Sequence, residues 1–160
     1  MIPTSLKRRI FAAGGAGAIA IAGVLVAHFE PGRDRGRPYI DPAGVLTVCD
    51  GHTGPDIDPS RIYTDAECDA WRETDLAQAD AAIQRLVIVP LNDWQRAALI
   101  DFVYNVGAGN LAKSTLLRRL NAGDYDGACD EYRRWVYAGG RRLPGLVTRR
   151  EVDAWVCRQQ

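Results

Sequence analysis

No acidic residue occurs before Glu30, and no charge of either sign occurs between Ile10 and Ala27. Cys-x-x-Cys spacing is missing as well, and His28 and His52 are the only imidazoles, so neither a metal centre nor any other cofactor is expected. There is no surplus of one charge: 20 lysines and arginines balance 20 aspartates and glutamates. With Lys7, Arg8 and Arg9 set aside, 17 basic residues face 20 acidic ones, a net of −3, which excludes an electrostatic footprint for nucleic acid. The late arginines (Arg133, Arg134, Arg141, Arg142, Arg149, Arg150) are interleaved with acids and read as a solvated helical face. Internal repeats are absent. The remaining composition, 47% hydrophobic and 25% charged, is that of a globular chain, expected to be monomeric.

What is present begins with three cations followed by the uncharged run. Its eighteen residues would rise about 27 Å as a helix, enough to cross a thin bilayer. Lys7 to Arg9 would stay in the cytoplasm and the remainder would be exported. Seven alanines and four glycines occupy the run, however. At about 0.8 kcal/mol per buried CH₂, such small side chains hold a span weakly. Residues 1–29 therefore read as an uncleaved signal-anchor able to leave the membrane, and residues 30–160 as the exported domain. One alternative is a cleaved signal peptide, for which Ala18-Ile19-Ala20 and Ala20-Ile21-Ala22 offer small-x-small sites. The other is a buried helix of a soluble protein, against which the preceding Lys-Arg-Arg argues.

Beyond the anchor, "PGRDRGRP" reads as loop, and "YIDPAGVLTVC" as two short strands around an Asp41–Gly44 turn. "DGHTGPDIDPS" again reads as loop. Thr64 and Glu67 form a capping box opening a helix to about Leu86, with Cys68, Trp71, Leu76 and Ile83 inward. Asn92 and Gln95 open a second helix, with Ala98, Leu99, Phe102, Val103 and Val106 at core spacing and Gly107 and Gly109 closing it. A short helix follows from Ser114 through Leu120, another from about Asp124 to Tyr137, and a last one from Pro144 to near Cys157. The architecture is α+β: a small β-hairpin lobe and a mainly helical lobe flanking a cleft open enough for a polymer.

Two carboxyls in contrasting settings suit glycosidic cleavage. Glu30 adjoins Phe29 and the apolar run, where desolvation disfavours its charge, as a general acid requires. Asp41 sits in a polar turn where it should stay ionised. Asp50 reads as an exposed loop acid, and Asn105 as a residue shaping its helix end. The four cysteines allow three pairings.

Residues 30–54 resemble the active-site region of phage-type lysozymes, which carry a Glu, an Asp and a Thr as catalytic residues. The likeness continues through "TVCDGHTG", "YTDAECDAW", "FVYNVGAGNLAKSTLLRRLNAGDYDGAC" and "RRWVYAGGRRLPGLVTRREVDAWVC". With the Ala/Gly-rich anchor ahead of it, the chain resembles the signal-arrest-release endolysins. The resemblance implies a lysozyme-like fold and a muramidase acting on the β-1,4 bond between N-acetylmuramic acid and N-acetylglucosamine in host peptidoglycan, with inversion. Glu30 would donate the proton, Asp41 would position or activate water, and Thr47 would help hold that water. His52, Ser114 and Thr115 would line the substrate groove, although for His52 a structural hydrogen-bonding role is the stronger reading and for Ser114 capping serves equally well. The family pattern pairs Cys49 with Cys68 and Cys129 with Cys157, as suits a periplasmic protein. One departure stands out: Glu30 and Asp41 are eleven apart where the family has nine, a two-residue insertion that makes Asp34 a rival for Asp41. The resemblance also implies a chain tethered to the inner membrane through residues 10–27, inactive until released into the periplasm. Two rivals are a lytic transglycosylase, which needs no water-activating Asp, and an inactive, tethered peptidoglycan-binding protein.

Overall fold

The computed structural model describes residues 2–30, 35–41 and 44–160, so Asp34 and the middle of the Asp41–Gly44 turn lie outside the described residues. In it the apolar run is not one rod. Helix α1 (Thr4–Ala13) passes through a 3-10 turn (Gly14–Ala16) into α2 (Ala18–Phe29), and no helix of the described residues is long and apolar enough to cross a membrane. Glycine makes the break. Gly17 sits at φ 88°, a conformation that carries a strain for any side chain, and a Cβ on Gly14 would lie 2.8 Å from the Trp94 ring.

Helix α2 is rich in apolar residues, and one face of it is central to the molecule while Ile19 stays 43% exposed. Leu6 and Ile10 of α1 and Ile21, Leu25 and Val26 of α2 are at most 2% exposed, in one core with residues of the later helices. Burial of five such side chains contributes on the order of 10 kcal/mol, comparable to the whole stability of a domain. The segment read as an anchor is thus also core, which is the buried alternative realised within this folded form.

Past Glu30, a three-stranded antiparallel sheet forms in the order β1 (Tyr39–Ile40), β2 (Leu46–Val48), β3 (His52–Thr53). The strand β3 was hidden in a stretch that reads as loop. Its register pairs Tyr39 with Thr47, Thr47 with Thr53, and Val48 with His52. Val48 faces a small second core of Cys49, Ile57, Tyr63 and Cys68. The Cys49–Cys68 disulfide, with Cα atoms 5.2 Å apart, ties this sheet to α3 (Asp65–Leu86). Its closed loop contributes about 3 kcal/mol by restricting the unfolded chain.

Helix α3 carries the expected Thr64–Glu67 capping box and spans from the sheet to the helical body. Helix α4 (Asp93–Val106) carries the expected Asn92–Gln95 box and runs through the core, stopping at Gly107 with φ 86°. Gly109 does not close it but lies inside a further short helix, α5 (Ala108–Ala112). Ser114 caps α6 (Thr115–Asn121), and Asp124 caps α7 (Tyr125–Glu131). The helix expected to reach Tyr137 instead tightens into a 3-10 turn at Tyr132–Arg134 and leaves helical geometry at Trp135. Tyr137 then opens a hairpin, β4 (Tyr137–Ala138) with β5 (Arg141–Arg142). Helix α8 (Pro144–Cys157) closes the chain and is bonded to α7 by Cys129–Cys157, at 5.7 Å between Cα atoms.

Candidate active site

Glu30 is the residue at which α2 ends. Its N–H donates to the carbonyl of Val26 at 2.9 Å, and its backbone (φ −111°, ψ 53°) turns the side chain out of the helix. The carboxyl does not rest on apolar groups alone. Oε1 accepts a hydrogen bond of 2.5 Å from Nη1 of Arg149, whose guanidinium stands 5.4 Å from the Phe29 ring centre. Arg149 is itself almost fully buried and grips both oxygens of Asp101 at 2.9 Å. Burial opposes its charge, but Asp101 and Glu30 more than offset that and raise its affinity for the proton.

Behind this pair lies a buried polar cluster. Arg150 donates to Asp153 at 2.7 Å and to Asn105. Asp101 is held below the ordinary carboxylate range; complete burial would push it up, and Arg149 and Arg150 prevail. Asp153 goes the other way, pushed well above that range by burial and by the charge of Asp101. Its Oδ1 has no hydrogen-bond partner among the described residues. The opposed directions favour the neutral form of Asp153 and leave Asp101 as the buried anion that anchors Arg149.

The sheet region carries the other two sequence candidates, Asp41 and Thr47. Asp41 ends β1, half-exposed, and its Oδ1 accepts the N–H of Val45 at 2.9 Å. Thr47 in β2 is buried, and its Oγ1 donates to the carbonyl of Val45 at 3.0 Å. One residue's peptide groups thus hold both side chains. Tyr39 pairs across with Thr47, two residues before Asp41 on the same sheet face. Its phenol is pushed up first by burial and then by the charges of Glu30 and Asp41.

Glu30 lines one of two recesses and stands beside Gly51, a residue of the other. The first, about 480 Å³, lies between the sheet, α3 and α4–α5 and is lined by Gly51, Thr53, Gln78, Arg85 and Tyr104 among others. The second, about 470 Å³, is lined by Phe29, Glu30, Asn105, Arg149 and the residues Leu143 to Leu146. Gly51 joins them: at φ 93°, a Cβ there would stand 3.8 Å from the carboxyl of Glu30. Tyr104 closes the junction, its hydroxyl donating to the carbonyl of Asp50 at 2.7 Å. Burial raises its phenol above the ordinary value, with Asp75, Asp50 and Glu30 adding to the rise, so it remains a donor.

The remaining sequence candidates are bound structurally. His52 stacks on Trp71 at 4.4 Å, with Asp75 at 2.9 Å from Nδ1 and Asp56 at 3.3 Å from Nε2, so both ring nitrogens face carboxylates. The Ser114 hydroxyl donates to Leu111 and accepts from Leu117, and Thr115 accepts from Arg118. Neither Ser114 nor Thr115 lines these two recesses. Asp50 is not an exposed loop acid: it is 4% exposed, gripped by Arg35 at 2.8 Å and Arg72 at 3.0 Å. Asn105 does more than shape a helix end, since it lines the recess of Glu30 and takes a hydrogen bond from Arg150. Asp101, Gly51 and Tyr104 went unnoticed in the sequence, and Arg149 and Arg150, read there as part of a solvated face, are 3% and 0% exposed. The available signal was Arg149-Arg150 in line with Val152 and Ala154 on the core-facing side of α8.

A helical body and a small antiparallel sheet, meeting at a carboxylate between two recesses, are the arrangement of a lysozyme-type glycosidase. The chain belongs to the phage lysozyme family, whose model matches residues 30–153. A SAR-endolysin of bacteriophage PS119 is 50% identical over 159 residues, covering 96% of this chain and 94% of that one. A P22 lysozyme variant is 30% identical, with a TM-score of 0.71 over 84% of this chain and 93% of its own. The active form of the P1 phage endolysin shares the fold at a TM-score of 0.75, covering 98% of this chain and 94% of that one at 23% identity.

Proposed function

We propose that this chain is an endolysin, a muramidase that hydrolyses the β-1,4 bond between N-acetylmuramic acid and N-acetylglucosamine in host peptidoglycan and so lyses the host cell. The observation that carries the reading is Glu30 in the lining of one recess and beside Gly51 of a second, an arrangement that suits a glycan extending to both sides of the bond it loses. Glu30 protonates the leaving oxygen, Asp41 activates or positions the attacking water with inversion at the anomeric carbon, and Thr47 helps hold that water. Arg149, fixed by Asp101, sets the direction of the Glu30 carboxyl.

The same reading covers control. Residues 10–27 first cross the inner membrane with the N-terminus in the cytoplasm, and the chain leaves the membrane to fold as α1 and α2. Until then the helix that precedes Glu30 lies in the bilayer and α4 lacks its covering layer, so the tethered form is inactive. Collapse of the membrane potential is the natural trigger for so weak a span. This reading is supported by the burial of the segment in the folded form and by relatives described as SAR-endolysins. It is tested by digestion of purified sacculi. Glu30→Gln and Asp41→Asn should each lower the rate by about 10²–10⁴ with folding intact, and Thr47→Ala by less. Full activity in Asp41→Asn would remove the water-activating role.

A further inference from the structure

The β4–β5 hairpin is exposed from Tyr137 to Pro144 and adds nothing to either core. Its turn is Gly139-Gly140, with φ 56° and 74°, the doubly left-handed geometry that suits the twist of a two-residue hairpin. The pairs are Tyr137↔Arg142 and Ala138↔Arg141, and the N–H of Leu143 continues the ladder to the carbonyl of Val136 at 2.9 Å. Side chains alternate along a strand, so Arg141 and Leu143 share one face while Arg142 and Tyr137 share the other. Leu143 lines the recess that contains Glu30. Arg141 therefore stands on the recess side of the hairpin.

Its charge is unanswered. Nearby arginines are bound to acids: Arg133 to Glu151 at 2.9 Å and Asp130 at 2.5 Å, Arg134 to Glu131 at 3.3 Å. Arg141 and Arg142 have neither a hydrogen bond nor an ion pair among the described residues. An exposed guanidinium at the lip of a catalytic recess, on a hairpin with no part in the core, matches an anionic group carried by the substrate. Guanidinium recognises carboxylate in a paired, planar geometry.

We propose that Arg141 binds a carboxylate of the peptide that N-acetylmuramic acid carries, so that the enzyme reads the peptide as well as the glycan. The proposal rests on the muramidase reading of Glu30 and adds a specificity site to it. The test uses full-length protein on two substrates: sacculi with peptides intact, and the same glycan strands after amidase removal of the peptides. Arg141→Ala should lower kcat/KM on intact material about fivefold, chiefly through KM, and Arg141→Glu should lower it further. Both variants should match wild type on stripped strands, and Arg142→Ala should match it on both. An equal loss on both substrates would overturn the proposal, as would no loss on intact material; a loss confined to stripped strands, where the amidase leaves the lactyl acid free, would assign Arg141 to that acid and overturn it too. Inactivity of the wild type on both substrates would instead sink the muramidase reading.

Discussion

Replacing Arg149 by methionine separates the two duties assigned to that side chain. The substitution preserves much of its volume but leaves Asp101, fully buried, without the two hydrogen bonds that hold it as an anion. Breaking a buried pair by removing one partner costs about 3–5 kcal/mol, and in a chain of this size each kcal/mol lowers Tm by about 2–4 °C. Thermal unfolding followed by circular dichroism should therefore show Tm lower by about 6–20 °C. Adding Asp101→Asn removes the stranded charge while keeping its shape, and should restore most of that loss. Activity should not follow stability. Glu30 in the double variant still lacks the Arg149 contact at 2.5 Å, so digestion of sacculi should stay at least about tenfold below wild type, at a temperature where both are folded. A single variant with unchanged Tm would refute the buried pair. A double variant with restored activity would refute the role of Arg149 in directing Glu30.

Three further outcomes follow from the same geometry. Ala12, Gly15 and Ala16 are exposed in the folded form, and a Cβ on Gly15 meets nothing within 4 Å. Changing all three to Leu adds several kcal/mol to membrane retention, at about 0.8 per CH₂; fractionation should find the variant in the membrane with lysis blocked, while detergent-released protein digests sacculi normally. Normal lysis would deny that weak anchoring permits release. Asp153 has a folded value above its unfolded one, so it contributes a loss of stability as pH rises from the ordinary carboxylate range through the folded value. Asp153→Asn has no proton to lose, so its Tm relative to wild type should increase from pH 4 to pH 8; a decrease would contradict the raised value of Asp153. Asp101, held low, loses its contribution in the opposite direction, as pH falls below the carboxylate range. Gly51→Ala places a methyl 3.8 Å from the Glu30 carboxyl at φ 93°; about 1–2 kcal/mol of strain and a marked fall in digestion rate are expected, read by denaturant titration and a sacculus assay.

Local chemistry made the long helices legible. Thr64–Glu67 and Asn92–Gln95 satisfy helix-end amides with near neighbours, so both boxes could be read from spacing alone. The hairpin was legible in principle, since Gly139-Gly140 flanked by short strands is a turn signal, but two-residue strands carry too little alternation to compete with a helical pattern. Strand β3 failed for the same reason. Glu30, Asp41 and Thr47 entered through resemblance, because a lone Glu and a turn Asp have commoner structural roles. What could not be read was long-range: Arg149 meets Glu30 across 119 positions and Asp101 across 48. Burial of Asp50 likewise depends on Arg35 and Arg72, neither of them a near neighbour in the chain. The anchor is a different case. Its composition suits both a weak span and a core helix, and the fold uses the glycines that weaken the span to turn the chain at Trp94 and Gly17.

The most direct test of the central claim is mass spectrometry of the fragments that full-length protein and Glu30→Gln release from purified sacculi. Fragments with reducing N-acetylmuramic acid ends from wild type, and none from Glu30→Gln, are the predicted result. Anhydro-muramic ends would contradict it, because they require no attacking water and leave Asp41 and Thr47 without the roles given to them.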